Sequence, residues 1–239
     1  MAAASAEALG WWALQFTPRV CCHDEAVLLE VGSSVRLFGG EVALRDRIVA
    51  GAGDLGWTRW AAASTALGAL ALARCGRTGY WQGDMGAALN DLPLHSLREV
   101  EAEMAWLARL GCRSLGNVRR LPRAGLARRG ASAMLQTLGQ AYGELPWSAS
   151  WLSLPEVFEA RLELPGRVES AQALMFGVRR LLLQLCGWLA ARQAGSRSFV
   201  LRWRHDFHRR DDPPLGELPV RLAEPTRQAG HLLRLLGEW

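Results

Sequence analysis

Apolar and polar positions alternate differently along three stretches of the chain. Residues 5–17 repeat with a helical period that breaks at Pro18 and passes into a strand. Residues 26–31 (AVLLEV) form a short apolar run bounded by charge and glycine, which predicts a buried strand. Gly32-Ser33-Ser34 reads as a turn, and Leu37-Phe38-Gly39-Gly40 leads into a second helix through about Gly51. Residues 59–63 predict another short strand, and Ser64 or Thr65 is placed to cap a helix running to about Arg74. This β-α-β-α order predicts part of an α/β layer.

From residue 85 to about 142 the period is helical, with breaks at Leu92-Pro93, Leu110-Gly111, Leu115-Gly116 and Leu121-Pro122. Short helices joined by tight turns predict a small all-helical domain. Residues 144–156 (ELPWSASWLSLPE) hold Pro146 and Pro155 without periodicity and read as a linker. Residues 157–164 then alternate apolar and charged positions as a strand does. Residues 169–192 predict a long helix with Leu174, Val178, Leu181, Leu185 and Leu189 on one face. In residues 199–204, Val200, Arg202 and Arg204 fall on one face, against Phe199, Leu201 and Trp203 on the other. Residues 209–216 read as a turn, 218–222 as a third strand and 226–236 as a second helix. The order β-α-β-β-α is a split β-α-β sandwich lacking its last strand. The expected fold is α+β and multi-domain: 1–82, 83–143, a linker at 144–156, and 157–239.

Half of the residues are hydrophobic, enough for packed cores. The net charge is +5, and all 28 basic side chains are arginine, with no lysine anywhere. Chemistry that needs a lysine amine is therefore excluded, while guanidinium forks suit phosphate. Cys21, Cys22, Cys75, Cys112 and Cys186 make no C-x-x-C pair and no disulfide framework, which fits a reducing cytoplasm. The start MAAASAEALGWW has no basic n-region and carries Glu7, unlike a signal peptide. The longest apolar runs, 60–73 and 181–191, fall short of the ~18 residues a span needs, so no membrane is expected. His205, Asp206, His208, Asp211 and Asp212 share a charged turn without ligand spacing, so no metal site is expected there.

Asp24-Glu25-Ala26, then Leu29-Glu30-Val31-Gly32-Ser33, then Arg36-Leu37-Phe38-Gly39-Gly40 follow one another in a telling order. They resemble the palm motif Asp-Glu-Ala-x-Leu-Asp-Val-Thr-Gly-Ser with its following Leu-Phe-Gly in the Y-family (DinB/UmuC-like) translesion DNA polymerases. Residues 107–118 (LARLGCRSLGNV) resemble the thumb pattern Leu-x-x-Leu-Gly-x-x-Thr-x-Gly-Asp-Leu of the same family. Phe16-Thr17-Pro18-Arg19-Val20, residues 158–165 (FEARLELP), 186–192 (CGWLAAR) and 222–227 (LAEPTR) are more similar to its catalytically inactive ImuB branch. The resemblance implies a partial palm, a helical thumb and a little finger.

Nucleotidyl transfer in that family uses carboxylates that hold two metal ions. The first palm strand would precede Met1. Its paired Asp-Glu would fall near Asp24 and Glu25, yet an ungapped count back from Leu37-Phe38-Gly39-Gly40 lands on Glu25 and Ala26. Ala66 and Leu70 stand where active relatives carry the lysines that meet the triphosphate. Asp24 and Glu25 are accordingly vestigial candidates, no catalytic residue is assigned and no cofactor is expected.

DNA contact is expected from Arg113, Arg119, Arg120, Arg123, Arg128 and Arg129 in the helical region, with a solvated basic face as the equal alternative. Arg202, Arg204, Arg209 and Arg210 are the candidates near the strand face. The thumb's Pro-Gly-x-Gly phosphate turn corresponds to Pro93-Leu94-His95-Ser96, from which both glycines are gone. The resemblance implies a non-catalytic, nucleoid-associated adaptor in damage-induced (SOS) translesion synthesis. Its partners would be primer-template DNA, and the sliding clamp, a RecA-like accessory protein and an error-prone polymerase, the family's clamp-binding and partner-binding segments lying beyond the little finger. Two alternatives remain: a truncated product without function, or an active Mg-dependent polymerase if an upstream palm segment exists.

Overall fold

The computed structural model describes residues 4–80, 83–164, 168, 170–204 and 215–237. The chain opens with helix α1 (Ala6–Ala13), strands β1 (Val20–His23) and β2 (Ala26–Leu29), a 3-10 turn (Gly32–Phe38) and α2 (Glu41–Asp54). It continues through β3 (Ala61–Ala62), α3 (Ala66–Arg74) and β4 (Gly79–Tyr80). Short helices follow: α4 (Met85–Asn90), α5 (Arg98–Glu101), α6 (Met104–Arg109), α7 (Leu115–Arg119), α8 (Arg123–Arg128) and α9 (Ser132–Ala141). The last elements are α10 (Ala171–Ala191), β5 (Ser196–Arg204), β6 (Leu215–Thr226) and α11 (Ala229–Gly237). Among the described residues the strands pair as β1 with β2, β3 parallel to β4, and β5 antiparallel to β6, an α+β mixture. Contacts gather the chain into two units: Met1–Val27, Val31–Gly56 and Trp151–Trp239 in one, Leu28–Glu30 and Trp57–Ser150 in the other.

In the first unit, α1 starts where the Ser5 hydroxyl accepts a hydrogen bond from the Ala8 amide at 3.2 Å. Ala8, Leu9, Trp12 and Ala13 recur on one face and are buried. Trp12 decides how the neighbouring helices approach. A β-carbon at Gly187 of α10 would stand 2.8 Å from the Trp12 Cα, and one at Gly51 of α2 would strike its indole. Glycine at both places lets the ring lie against two helix backbones. Phe16 meets Trp12 edge-on at 5.0 Å between centroids and continues to Phe38 at 5.5 Å.

Helix α10 also faces the β5–β6 ribbon. Val178, Leu182, Leu185 and Leu189 form a core with Val220, Leu232 and Leu236, and Phe199, Leu201 and Leu218 pack against it. The stripe runs through Leu182 where the sequence suggested Leu181, because both positions border the same face and only one can point at the strands. Leu174–Ala191 of α10 is long and apolar enough to cross a membrane by length and composition, with mean hydropathy 1.3. The expectation that no segment reaches that length is corrected here. The physical use of the segment is visible, however, since its apolar stripe is taken up by strands and α11.

The strand expected at residues 157–164 does not form a ladder among the described residues. The segment lies extended along α10: Phe158 tilts on Trp188 at 5.9 Å, and Leu162 and Leu164 crowd Gly177. The Pro155 carbonyl accepts from Trp188 Nε1 at 3.0 Å and from Arg192 Nη2 at 2.6 Å. Its period of two predicted a strand, and none forms there, because a period does not name a hydrogen-bonding partner. The expected turn at 209–216 is also revised: Leu215 and Gly216 already belong to β6, and residues 209–214 lie outside the described residues. Because β6 runs to Thr226, the last helix starts only at Ala229.

In the second unit, Thr65 caps α3: its hydroxyl accepts from Gly68 N at 3.2 Å and donates to the Ala141 carbonyl at 2.6 Å. That second bond ties α3 to the end of α9. β3, α3 and β4 make a small β-α-β turn, of which β4 had no signal beyond its two residues. Ser114 and Asn117 close a capping box at α7, and Leu115 N donates to the Leu92 carbonyl at 2.9 Å. Gly116 sits against Asn90, where a β-carbon would meet the Asn90 carbonyl oxygen at 2.8 Å.

Gly51-Ala52-Gly53-Asp54-Leu55-Gly56 spells G-x-G-x-x-G. It lies at the end of α2, leading out of a helix, whereas dinucleotide binding needs it between a strand and a helix start.

The packing makes two glycines opposite in kind. Gly187→Ala should lower stability, because overpacking costs about 1–3 kcal/mol and exceeds the ~1 kcal/mol that alanine gains in a helix. Gly53 has nothing within 4 Å of an added β-carbon, so Gly53→Ala should raise stability by about 0.5–1 kcal/mol. Denaturant midpoints of the two variants test this, and a stabilised Gly187→Ala would show that Trp12 does not set the helix spacing.

Candidate nucleic-acid interface

The second unit carries the arginines of the helical region. Arg113, Arg119, Arg120, Arg123, Arg128 and Arg129 are all exposed at the residue level. They are not equivalent. Arg119 Nη2 lies 2.7 Å from Glu144 Oε1, and Arg123 bonds the other oxygen of the same carboxylate. The Arg119 guanidinium also rests 4.3 Å over the Tyr142 ring, whose hydroxyl bonds Asn90 Oδ1 at 2.9 Å. Arg129 reaches over Trp106 at 5.7 Å, and Arg128 Nε turns back onto the Ala124 carbonyl at 3.3 Å. Arg113 sits at the turn before α7, where its amide donates to Asn117 Oδ1 at 3.0 Å.

Glu144, within the segment expected to be a linker, was not among the expected site residues. The hydrogen bonds from Arg123 and Arg119 hold its carboxyl below the usual range, against a smaller opposing effect of burial. Tyr142 is pushed up to about 12, chiefly by burial; Arg119 pulls against this, and Glu144 and Asp91 add to it. The ring under Arg119 is therefore a neutral phenol.

The first unit presents the ribbon. Outward positions on β5 are Ser198, Val200, Arg202 and Arg204, as the alternation predicted. Inward, Trp203 lies opposite Gly216, whose missing side chain leaves room for the indole. Across the ladder, Ser198 faces Arg221, Val200 faces Pro219, Arg202 faces Glu217 and Arg204 faces Leu215. The exposed face thus carries Arg202, Arg204 and Arg221 beside Ser198, Val200, Leu215, Pro219 and the acid Glu217. Glu217 Oε2 lies 3.3 Å from Arg202 Nε, with both side chains more than half exposed, a pair of little energetic weight. Arg221 falls within the strand expected at 218–222 but was not among the candidates, because its pairing with Ser198 across the ladder is not a local property of the sequence. Arg209 and Arg210 lie outside the described residues.

Asp24 and Glu25 form the two-residue turn between β1 and β2, with Asp24 at φ 51°. Aspartate tolerates that left-handed backbone, which gives residue 24 a local reason for its identity. Leu70 is 3% exposed inside α3, so that position is a core residue. Ser96 of the Pro93-Leu94-His95-Ser96 turn is fully buried, and its hydroxyl makes no hydrogen bond. Among the described residues, no group of three or more His, Cys, Asp or Glu is gathered closely enough to hold a metal ion. The cysteines are free, and burial pushes their thiols up, Cys186 to about 11, so none is poised as a thiolate.

No family model matches the chain. It is 33% identical over 239 residues to Protein ImuB of Caulobacter vibrioides, both in strain NA1000 / CB15N and in strain ATCC 19089 / CIP 103742 / CB 15. The match takes in 98% of this chain and 51% of that protein, so the chain spans about half the length of the curated relatives it matches.

Because the folded carboxyl of Glu144 titrates below its unfolded value, its contribution is complete above the ordinary carboxylate pKa. It is lost as pH falls through the folded one. Glu144→Gln should cost about 0.5–1 kcal/mol at neutral pH, a small figure because the guanidinia are solvated. It should also flatten the acid limb of stability below the ordinary carboxylate range. Denaturation curves across that range check it; identical acid limbs would remove the ion pair's role.

Proposed function

We propose, from the 33% identity to Protein ImuB that runs along 98% of the chain, that it is an ImuB-like, non-catalytic, Y-family polymerase-like adaptor in damage-induced translesion synthesis. In this reading the region 1–82 corresponds to a partial palm, 83–143 to a thumb and 157–239 to a little finger, within an α+β chain. DNA is the ligand. The observation that carries the proposal is the outward face of the β5–β6 ribbon, where Arg202, Arg204 and Arg221 project on the side opposite the core. Successive outward residues on a strand are about 6.7 Å apart, and a major groove admits a two-stranded ribbon. Guanidinia in such a row meet backbone phosphates without reading bases, so binding is non-specific and salt-sensitive.

Three features support loss of nucleotidyl transfer. Leu70 is buried where a phosphate-binding lysine would be needed, the sequence has no lysine, and Asp24 and Glu25 occupy a tight turn. The sliding clamp, a RecA-like accessory protein and an error-prone polymerase are the partners this role requires, in a cytoplasmic, nucleoid-associated setting.

Titrating the protein onto primer-template DNA at several salt concentrations tests the proposal. Wild type should bind with a steep salt dependence, and Arg202→Ala/Arg204→Ala should reduce the log–log slope by about two. A folded wild type that ignores DNA would overturn DNA contact. Template-directed incorporation of nucleotide that disappears in Asp24→Ala/Glu25→Ala would overturn the non-catalytic assignment.

A further inference from the structure

Arg119 and Arg123 converge on one carboxylate, and the way they are held separates them from the other arginines of the helical region. Arg119 is kept in place twice, by Glu144 and by the face of the Tyr142 ring at 4.3 Å. Removing the carboxylate leaves the ring, so Arg119 stays oriented. Arg123 opens α8 with its side chain 61% exposed, and it reaches Glu144 from the solvent side. Two planar donors aimed at neighbouring oxygens of a single anion is the arrangement in which arginines bind phosphate. Glu144 itself is held by the chain: it follows α9, and its amide donates to the Gly139 carbonyl at 2.7 Å.

We propose that Arg119 and Arg123 form a phosphate-binding site, here filled by Glu144 as an internal stand-in for the phosphate. The site deepens the DNA-binding reading and rests on it for the identity of the ligand, a backbone phosphodiester. Glu144 makes that binding weaker than the count of exposed arginines suggests. The cluster carries one net positive charge in this state and two once Glu144 swings out. A phosphate must therefore compete with a tethered carboxylate before it gains both guanidinia.

The experiment compares wild type, Glu144→Gln and Glu144→Gln/Arg119→Ala/Arg123→Ala in the full chain. Circular dichroism melts confirm folding, and Glu144→Ala serves as the second replacement if the glutamine variant is unstable. Two probes are used: duplex DNA, followed by anisotropy against salt, and inorganic tripolyphosphate, followed by calorimetry. Losing the competitor should tighten DNA binding at a given salt concentration and steepen the log–log salt slope by about two, one for each guanidinium released onto a phosphate. The same variant should bind tripolyphosphate more tightly than wild type, and the triple variant should lose both gains. If no variant binds DNA but the tripolyphosphate gain appears and depends on the two arginines, the site stands and the DNA reading falls. If removing Glu144 strengthens neither ligand, the site is overturned, whatever the wild type does with DNA.

Discussion

The close approach of backbone to indole at Trp12 is the contact on which the rest of the first unit depends. An indole occupies more volume than a helix–helix interface normally leaves, and here it is admitted because Gly51 and Gly187 have no side chains. Once Trp12 fixes α10, the opposite face of that helix is committed to β5, β6 and α11. The outward direction of Arg202 and Arg204 follows from that commitment, since a strand whose odd positions are buried must show its even ones. Surface charge on the ribbon is thus set by a core contact made by residues far away in sequence.

Local pattern was enough to read much of this. Ser5, Thr65 and the alternation of residues 199–204 announce their elements because capping and period are properties of neighbouring residues. What could not be read is what depends on distant partners. Residues 157–164 have a strand's alternation and yet lie on a helix, because burial on one side satisfies the pattern without a ladder. The strand expected at 218–222 extends in both directions, to Leu215 and to Thr226, and an edge strand accommodates both Pro219 and Pro225. Of the proposed interface, Arg202 and Arg204 were legible from period alone. The bond between Glu144 and two arginines 25 and 21 residues earlier was not, because no local rule couples a linker acid to a helix start.

A chain whose basic side chains are all arginine handles anions by geometry as well as by charge. Arg119 lies over Tyr142, Arg129 over Trp106 and Arg192 over Trp188, contacts open to a planar, weakly hydrated cation. Each stacked guanidinium has lost much of its rotational freedom before any ligand arrives. Weak, solvated pairs such as Arg202 with Glu217 remain easy to exchange for a phosphate, whereas a forked, ring-supported pair resists exchange. The molecule therefore offers anions two kinds of surface, one open and one already occupied.

Pro219, opposite Val200, has a meaning for the ribbon that its charges do not. A ladder tolerates proline only where the ring nitrogen is turned away from the neighbouring strand. Sliding β6 by a single step would turn that nitrogen inward, toward a carbonyl it cannot satisfy, and would also carry Arg221 into the core. The imino acid therefore works as a keyway: it admits one alignment of the two strands and locks out its nearest neighbours, so the spacing of cations across the ribbon is an outcome of backbone chemistry.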